Sequence, residues 1–149
     1  RKTGKTTVVT RLVSELQRVG LSVGVVKSDK HGFQMDYEGT DTDLAYKAGA
    51  DAVAIAGPIE TAIRIRTKEQ SNLYDLTQHM PVDIVILESR SQGIAPIIEV
   101  TKEGHTEELI SDAMDRVATI EIGNLDQDVP ELVRHIQEMM RCLHGRRYC

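Results

Sequence analysis

The stretch Thr3-Gly4-Lys5-Thr6-Thr7 decides the fold of this chain, together with the amphipathic run VVTRLVSELQRVG that follows it at 8–20. Gly-Lys-Thr is the second half of a phosphate-binding loop, in which backbone N–H groups surround the phosphates and the lysine reaches their outer oxygens. Thr6 would offer its hydroxyl to Mg²⁺. The first glycine of the full pattern would lie five residues before Gly4, so we expect that glycine and the strand leading into it to precede Arg1.

The run behind the loop predicts an amphipathic helix. Its apolar face is formed by residues at helical spacing: Val8, Val9, Leu12, Val13, Leu16 and Val19. Gly20 would end the helix as a left-handed cap, and 21–26 predicts a strand. Loop, helix and strand follow in the order that a nucleotide-binding α/β domain requires, with the positive end of the helix dipole at the loop. For these residues alone, a polar turn before an ordinary surface helix is the alternative.

Composition narrows the class of protein. A chain of 149 residues predicts one soluble domain with a core of its own. The net charge of −5 argues against nucleic acid as a partner, and 3% aromatic residues leave few platforms for base stacking. The sequence has no apolar run near the ~18 residues that a membrane span needs and no visible signal peptide, so we expect no membrane association and a cytoplasmic location. Cys142 and Cys149 are expected to be free thiols.

The rest of the chain alternates between helix and strand. We predict strands at 52–56, 61–66, 82–87, 97–101 and 117–122, short helices at 40–48, 72–80 and 106–114, and a final helix capped by Asp128 and Glu131. Thr40 and Asp43 would form a capping box. The pattern at 61–66 makes one face polar, which favours an antiparallel or edge strand. The predicted fold class is α/β, a P-loop NTPase-like three-layer α/β/α domain over 1–149, with a mainly parallel sheet and added antiparallel or edge strands.

Ligands of such sheets bind at the carboxyl ends of the strands, so polar residues that follow strands are candidates for the site. Glu88 ends the most apolar strand and could hold Mg²⁺ beside a phosphate. The loop 27–39 follows another strand and carries Lys27, His31 and Asp36. A solvated surface loop is the alternative for that segment, although ordinary loops of this length are uncommon without a function.

Several short motifs in this order resemble the molybdopterin-guanine dinucleotide biosynthesis protein B family. They are Gly4-Lys5-Thr6-Thr7, Val25-Val26-Lys27, the loop from His31 to Asp36, Gly39-Thr40-Asp41-Thr42, Ala48-Gly49-Ala50-Asp51, Asp83-Ile84-Val85-Ile86-Leu87-Glu88 and Pro96-Ile97-Ile98-Glu99-Val100. The resemblance extends from Lys2 to Val100. The chain departs from the family pattern around the expected site, where it has Ser28, Lys30 and Ser89-Arg90.

The resemblance implies a GTP-binding accessory protein of molybdenum cofactor biosynthesis, usually a homodimer, with weak GTP hydrolysis. Its partners would be the molybdopterin nucleotidyltransferase and the molybdoenzyme apoproteins that receive the cofactor. Transferred to this chain, GTP would be bound by Thr3, Gly4, Lys5, Thr6, Thr7, Lys27, His31, Asp36 and Asp41. Thr6 and Glu88 would hold Mg²⁺, and Lys5 and Glu88 would be the catalytic residues. The sequence has no full guanine-reading tetrad, but Asn124-Leu125-Asp126 could supply a reduced version.

Two other functions remain open at this level. A small-metabolite kinase could use the same loop, with Asp36 or Asp41 as the base near the acceptor. A nucleotide-dependent metallochaperone would need exposed His or Cys pairs, which the sequence does not make evident. For assembly, the strands at 61–66 and 97–100 fall outside the simple alternation, so we expect a homodimer that pairs or covers one of their edges.

Overall fold

A computed structural model describes residues 4–29, 31–88, 95–101 and 116–145. The elements in chain order are α1 (Lys5–Arg18), β1 (Val23–Lys27), α2 (Asp41–Lys47), β2 (Ala52–Ala56), β3 (Thr61–Ile65), α3 (Leu73–Thr77), β4 (Ile84–Glu88), β5 (Ile97–Thr101), β6 (Arg116–Glu121), a 3-10 turn (Ile122–Asn124) and α4 (Leu125–Gly145). They belong to two compact units, one from Arg1–Lys27 and Thr77–Cys149 and the other from Ser28–Leu76. The assignment of the whole chain to a single domain stays a prediction.

The first helix forms where the loop and the apolar spacing predict it. It begins at Lys5 and ends before Gly20, whose φ of 89° is in the left-handed region. The N–H of Gly20 donates to the carbonyl of Gln17 at 3.0 Å, and the N–H of Leu21 donates to the carbonyl of Leu16 at 3.1 Å. These two bonds are the Schellman pattern, which satisfies carbonyls that the helix end would otherwise leave unpaired.

Two parallel strand pairs belong to the first unit. β1 pairs with β4 in register from Val23 opposite Ile84 to Lys27 opposite Glu88. β5 pairs with β6, with an irregularity between Ile97 and Ile98. The prediction of parallel pairing is therefore confirmed for both pairs. Parallel neighbours cannot be joined by a tight turn, so each pair needs a longer connection between its two strands.

One apolar core joins α1, β6 and α4. Its buried side chains are Val8, Leu12, Leu16, Ile120, Val129, Leu132, Val133 and Ile136. Leu16 and Val129 are fully buried, with 0% of their surface exposed. Of the apolar stripe predicted at 8–19, Val8, Leu12 and Leu16 pack in this core. Val9 and Val13 are half-buried, and Val19 is exposed. Within the described residues, no helix is both long enough and apolar enough to cross a membrane.

The start of the last helix differs from the prediction. A cap at Asp128 is wrong, because α4 begins at Leu125, directly after the 3-10 turn. Asp128 lies within α4, and its carboxylate accepts a hydrogen bond from the N–H of Glu121 at 3.0 Å. The Asp128 side chain does accept a backbone hydrogen bond, but its donor is the last residue of β6 and not a residue in the first turn of α4. Pro130 is tolerated early in α4, although it removes one bond from the helix.

Two other predicted helices have different outcomes. The helix predicted at 72–80 is present only as α3, and it begins after Asn72, whose side-chain oxygen accepts from the N–H of Tyr74 at 2.9 Å. The helix predicted at 106–114 lies outside the described residues.

The second unit combines α2 with an antiparallel hairpin. β2 and β3 pair from Ala52 opposite Ile65 to Ala56 opposite Thr61, around the turn at Gly57-Pro58, which confirms the antiparallel prediction. The Tyr46 ring of α2 lies against two arginines from the second strand and its end, with the Arg64 and Arg66 guanidinium carbons 3.6 and 4.1 Å from the ring centroid. These cation–π contacts, with a 2.7 Å hydrogen bond from Arg66 to the Tyr46 carbonyl, fasten the helix to the hairpin.

We expect Leu16→Ala to lower the free energy of unfolding by about 2–5 kcal/mol, because it leaves a cavity in a core position without exposed surface. Urea unfolding followed by circular dichroism measures the change. Gln17→Ala, on the exposed face of the same helix, is the matched control and should change stability by less than about 0.5 kcal/mol. An equal loss in both variants would contradict the assignment of the core.

Candidate functional site

The candidate site is built on the first turn of α1. Gly4 is the N-cap and has a φ of 69°, a left-handed conformation that residues with a side chain rarely adopt. Because Gly4 has no side chain that could cap the helix, and the first turn carries no acidic residue, no side chain of this segment competes for its N–H groups. Those N–H groups and the helix dipole together favour an anionic ligand.

The loop contacts Ile122, the first residue of the 3-10 turn that follows β6. A Cβ atom built at Gly4 would overlap the Cδ1 methyl of Ile122 and lie 3.0 Å from Cγ1 of the same side chain. Glycine is therefore required here both by the backbone conformation and by the space available. The sequence analysis did not single out Ile122, because an apolar residue at the end of an apolar strand carries no sequence signal of such a contact.

Lys27 and Glu88 are register partners at the carboxyl ends of β1 and β4. A turn of four residues joins α1 to β1, so the chain reverses direction, and α1 packs on both strands. The start of α1 and the carboxyl ends of these strands therefore lie at the same edge. The structure brings Lys5, Lys27 and Glu88 to this edge, with Lys5 and Glu88 half-buried and Lys27 exposed.

Thr6 and Thr7 follow Lys5 on the first turn, and both are exposed. The Thr10 hydroxyl lies 3.0 Å from both of their carbonyl oxygens, which share its single proton. Thr3, the remaining residue predicted in this loop, lies outside the described residues, as do Ser89 and Arg90 beyond Glu88.

Asp36 belongs to the second unit and is a hydrogen-bond acceptor within it. Its carboxylate accepts from the hydroxyls of Thr42 at 2.5 Å and Thr40 at 3.0 Å, and from the N–H of Tyr37 at 2.8 Å. The Thr42 hydrogen bond lowers the pKa of Asp36 from its usual value, and the bonds from Thr40 and Tyr37 act in the same direction against partial desolvation. Asp36 therefore stays ionised at neutral pH and ties its loop to the start of α2.

The start of α2 is fixed by reciprocal hydrogen bonds. The Thr40 hydroxyl accepts from the N–H of Asp43 at 3.3 Å, and the Asp43 carboxylate accepts from the N–H of Gly39 at 2.9 Å. The predicted pair of capping residues is thus correct, with the return bond directed one residue further back. A hydrogen bond from Lys47 Nζ, at 2.8 Å, and the one from Gly39 lower the pKa of Asp43.

The other two predicted ligand residues of this unit are exposed. Asp41 is the first residue of α2. The backbone N–H of His31 donates to the carboxylate of Asp29 at 2.8 Å, and the imidazole side chain takes no part in that bond. In the part of the chain that the structure describes, no group of three His, Cys, Asp or Glu side chains is arranged to hold a metal ion.

The segment Asn124-Leu125-Asp126 lies at the junction of the 3-10 turn and α4. The Asn124 amide donates to the Glu121 carboxylate at 3.0 Å, and Asp126 pairs with Arg11 of α1 at 3.1 Å. Both side chains proposed as a reduced guanine reader therefore have partners within the protein. The Arg11–Asp126 pair was not predicted from the sequence, since 115 positions separate the two residues.

Comparison with known proteins gives consistent results. A family model described as molybdopterin guanine dinucleotide synthesis protein B matches residues 1–122. The chain is 30% identical over 155 residues to a molybdopterin-guanine dinucleotide biosynthesis adapter protein of Haemophilus influenzae, covering 97% of this chain and 87% of that protein. It is 29% identical over 158 residues to the adapter protein of the same description from Escherichia coli K12, covering 96% and 90%.

A solved structure supports the same assignment. The crystal structure of a molybdopterin-guanine biosynthesis protein B is similar to this chain with a TM-score of 0.70, at 26% identity over 93% of this chain and 94% of that one. The predicted P-loop NTPase-like α/β fold class is confirmed. With the family model covering most of its length, the chain belongs to the molybdopterin-guanine dinucleotide synthesis protein B family.

Proposed function

We propose that this chain binds GTP together with Mg²⁺ and acts as an accessory protein in molybdopterin-guanine dinucleotide biosynthesis. Family membership supports the pathway, because the similar proteins from Haemophilus influenzae and Escherichia coli are named adapter proteins of that biosynthesis. The observation that carries nucleotide binding is the left-handed Gly4 at the start of α1, directly before Lys5 and at the carboxyl edge of β1 and β4.

Each residue of this edge has a definite role in the proposal. The N–H groups of the first turn donate hydrogen bonds to the phosphate oxygens, and the positive charge of Lys5 lies beside the terminal phosphates. Thr6 and Glu88 supply a hydroxyl and a carboxylate, the oxygen ligands that Mg²⁺ prefers. Bound there, the ion would neutralise charge on the β and γ phosphates. Lys27, opposite Glu88 in the register, adds a second cation at the same edge.

The ligand roles of His31, Asp36 and Asp41 stay part of the proposal, and Asp36 favours binding over phosphoryl transfer. A general base works best when its pKa lies near the working pH. Three hydrogen bonds to Asp36 lower its pKa from a value that is already acidic. Asp36 is thus less suited than an ordinary carboxylate to accept a proton from a kinase substrate, whereas Asp41, the other candidate base, is exposed at the start of α2.

An accessory function requires partners. We propose the molybdopterin nucleotidyltransferase and the apoproteins of molybdoenzymes, which follow from the adapter description of the relatives. Because those proteins would be met inside the cell, a cytoplasmic location is part of the same proposal.

We further propose a homodimer in which a second copy covers the hairpin of the second unit. Within the described residues, β2 and β3 pair only with each other, and a two-stranded sheet is at best marginally stable without cover. The register places apolar residues on one face: Ala52, Ala54, Ala56, Ile63 and Ile65. Ile63 and Ile65 are 60% and 65% exposed, which leaves an apolar surface that an identical hairpin could bury.

Lys5→Ala should raise the dissociation constant for GTP by roughly a hundredfold or more, because it removes a charge-assisted contact to the phosphates. The melting temperature should not fall, because a positive charge at a helix N-terminus interacts unfavourably with the helix dipole. Isothermal titration calorimetry with GTP and Mg²⁺, with a thermal melt, measures both. Lys68→Ala, an exposed lysine outside the loop, is the control. Unchanged affinity in Lys5→Ala would reject the phosphate-loop assignment.

The purified protein should hydrolyse GTP slowly, at well under about one turnover per second, because fast hydrolysis needs an additional cation on the transferring phosphate. Steady-state phosphate release, with and without a molybdopterin nucleotidyltransferase, measures the rate. Glu88→Gln should lower the residual rate and raise the Mg²⁺ concentration needed for it. Several turnovers per second by the isolated protein would overturn the accessory role, and rapid phosphoryl transfer to a small acceptor would favour the kinase.

Light scattering at micromolar concentration should report twice the mass of one chain. Ile63→Lys should shift the mass to that of the monomer, because it places a charge in the covered face. Leu44→Lys is the matched control, since Leu44 is similarly exposed, at 55%, but lies on α2. A monomeric wild-type protein would reject the dimer, and a dimer that survives Ile63→Lys would place the interface elsewhere.

A further inference from the structure

Ile122 occupies the space beside Gly4 that a side chain at this position would need. Besides the overlap at Cδ1, the position of a Gly4 Cβ lies 3.0 Å from Cγ1 and 3.5 Å from Cγ2 of Ile122. Rotating the terminal methyl away would relieve the overlap, but Cγ1, at 3.0 Å, would still have to move by a few tenths of an ångström. The loop backbone and the Ile122 side chain are therefore packed directly against each other.

Ile122 is itself held by its surroundings. It opens the 3-10 turn after β6, two residues beyond Ile120, which is 1% exposed and belongs to the core. The Asp128 carboxylate accepts from the N–H of Glu121 at 3.0 Å, and the Glu121 carboxylate accepts from the Asn124 amide at 3.0 Å. These bonds fix the turn on both sides of Ile122, so its side chain can act as a fixed support.

A second contact lies nearby, between α1 and α4, but it is weaker. Arg11 of α1 and Asp126 of α4 form an ion pair at 3.1 Å, and their side chains are 45% and 96% exposed. Exposed pairs of this kind contribute little, because water screens them and two long side chains must be ordered. The packing of Ile122 on Gly4 is therefore the contact that is expected to determine the position of the loop.

We propose that Ile122 is a positioning residue for the phosphate loop. Its side chain holds Gly4 in the left-handed conformation and so directs the first-turn N–H groups and Lys5 toward the phosphates. The inference rests on the proposed binding of GTP. Without this support the loop gains freedom that must be lost again on binding, so affinity falls although every group that contacts the nucleotide is still present. The turn after β6 thereby acts on nucleotide binding without contacting the ligand.

Ile122→Ala should raise the dissociation constant for GTP with Mg²⁺ by roughly tenfold or more, measured by calorimetry. Ile122→Val keeps both Cγ atoms but loses Cδ1, the atom nearest to Gly4, so its dissociation constant should lie between those of wild type and Ile122→Ala. The steady-state rates should show a raised KM with little change in kcat, as expected for a lost binding contribution. Ile98→Ala is the matched control, because Ile98 is a half-buried β5 residue packed on the same core. It should lose comparable stability and keep its affinity.

A double-mutant cycle tests whether Ile122 changes the affinity for GTP through its contact with Gly4. In a Gly4→Ala background, Ile122→Ala removes the atoms that the new methyl group overlaps, so it should not weaken binding further and should recover part of the lost affinity. Independent, multiplying effects would overturn the proposal, as would wild-type affinity in Ile122→Ala or an equal loss in Ile98→Ala. If Ile122→Ala does not fold, Ile122→Leu preserves volume but changes shape, and unchanged affinity there overturns it. A wild-type protein that does not bind GTP would instead reject the proposed function.

Discussion

Packing of α1 against α4 and β6 is the interaction on which the first unit depends. Leu16 and Val129, one from each helix, are fully buried, and the strands place Ile120 beside them. Burial of such side chains contributes about 1.5–3 kcal/mol each, far more than the exposed Arg11–Asp126 pair between the same helices. The position of α1 is therefore set by apolar burial, and the loop at its start has a separate contact with Ile122.

The candidate site follows from that arrangement, because its geometry is made mostly of backbone. The reversal between α1 and β1 places the helix start at the carboxyl edge of two parallel strands, and the register sets Lys27 opposite Glu88. This arrangement does not require a charged side chain to be buried. The groups that we propose to bind the anion are N–H donors and a helix dipole, which the fold provides at little cost in desolvation.

The second unit is held together in a different way. Hydrogen bonds to Asp36 and Asp43 fix the loop and the start of α2, and the Tyr46 ring between Arg64 and Arg66 fastens α2 to the hairpin. These contacts involve polar groups. They join residues that are close in sequence, or residues that the hairpin brings next to α2. Few of the unit's apolar residues are buried, so an apolar hairpin face remains exposed, and this is why a second copy is a reasonable partner for it.

The sequence by itself determined the helix at 5–18, its glycine terminator, the antiparallel hairpin and the family, because each depends on local spacing or on short motifs in order. It also placed Glu88 at the end of the most apolar strand. Only the tertiary structure decided that Glu88 lies opposite Lys27 and that Ile122 packs on Gly4, since these contacts join residues far apart in the chain. The start of α4 was misassigned for the same reason. The Asp128 carboxylate accepts from Glu121, a partner on the preceding strand, and helix-capping rules consider only the helix's own first turn.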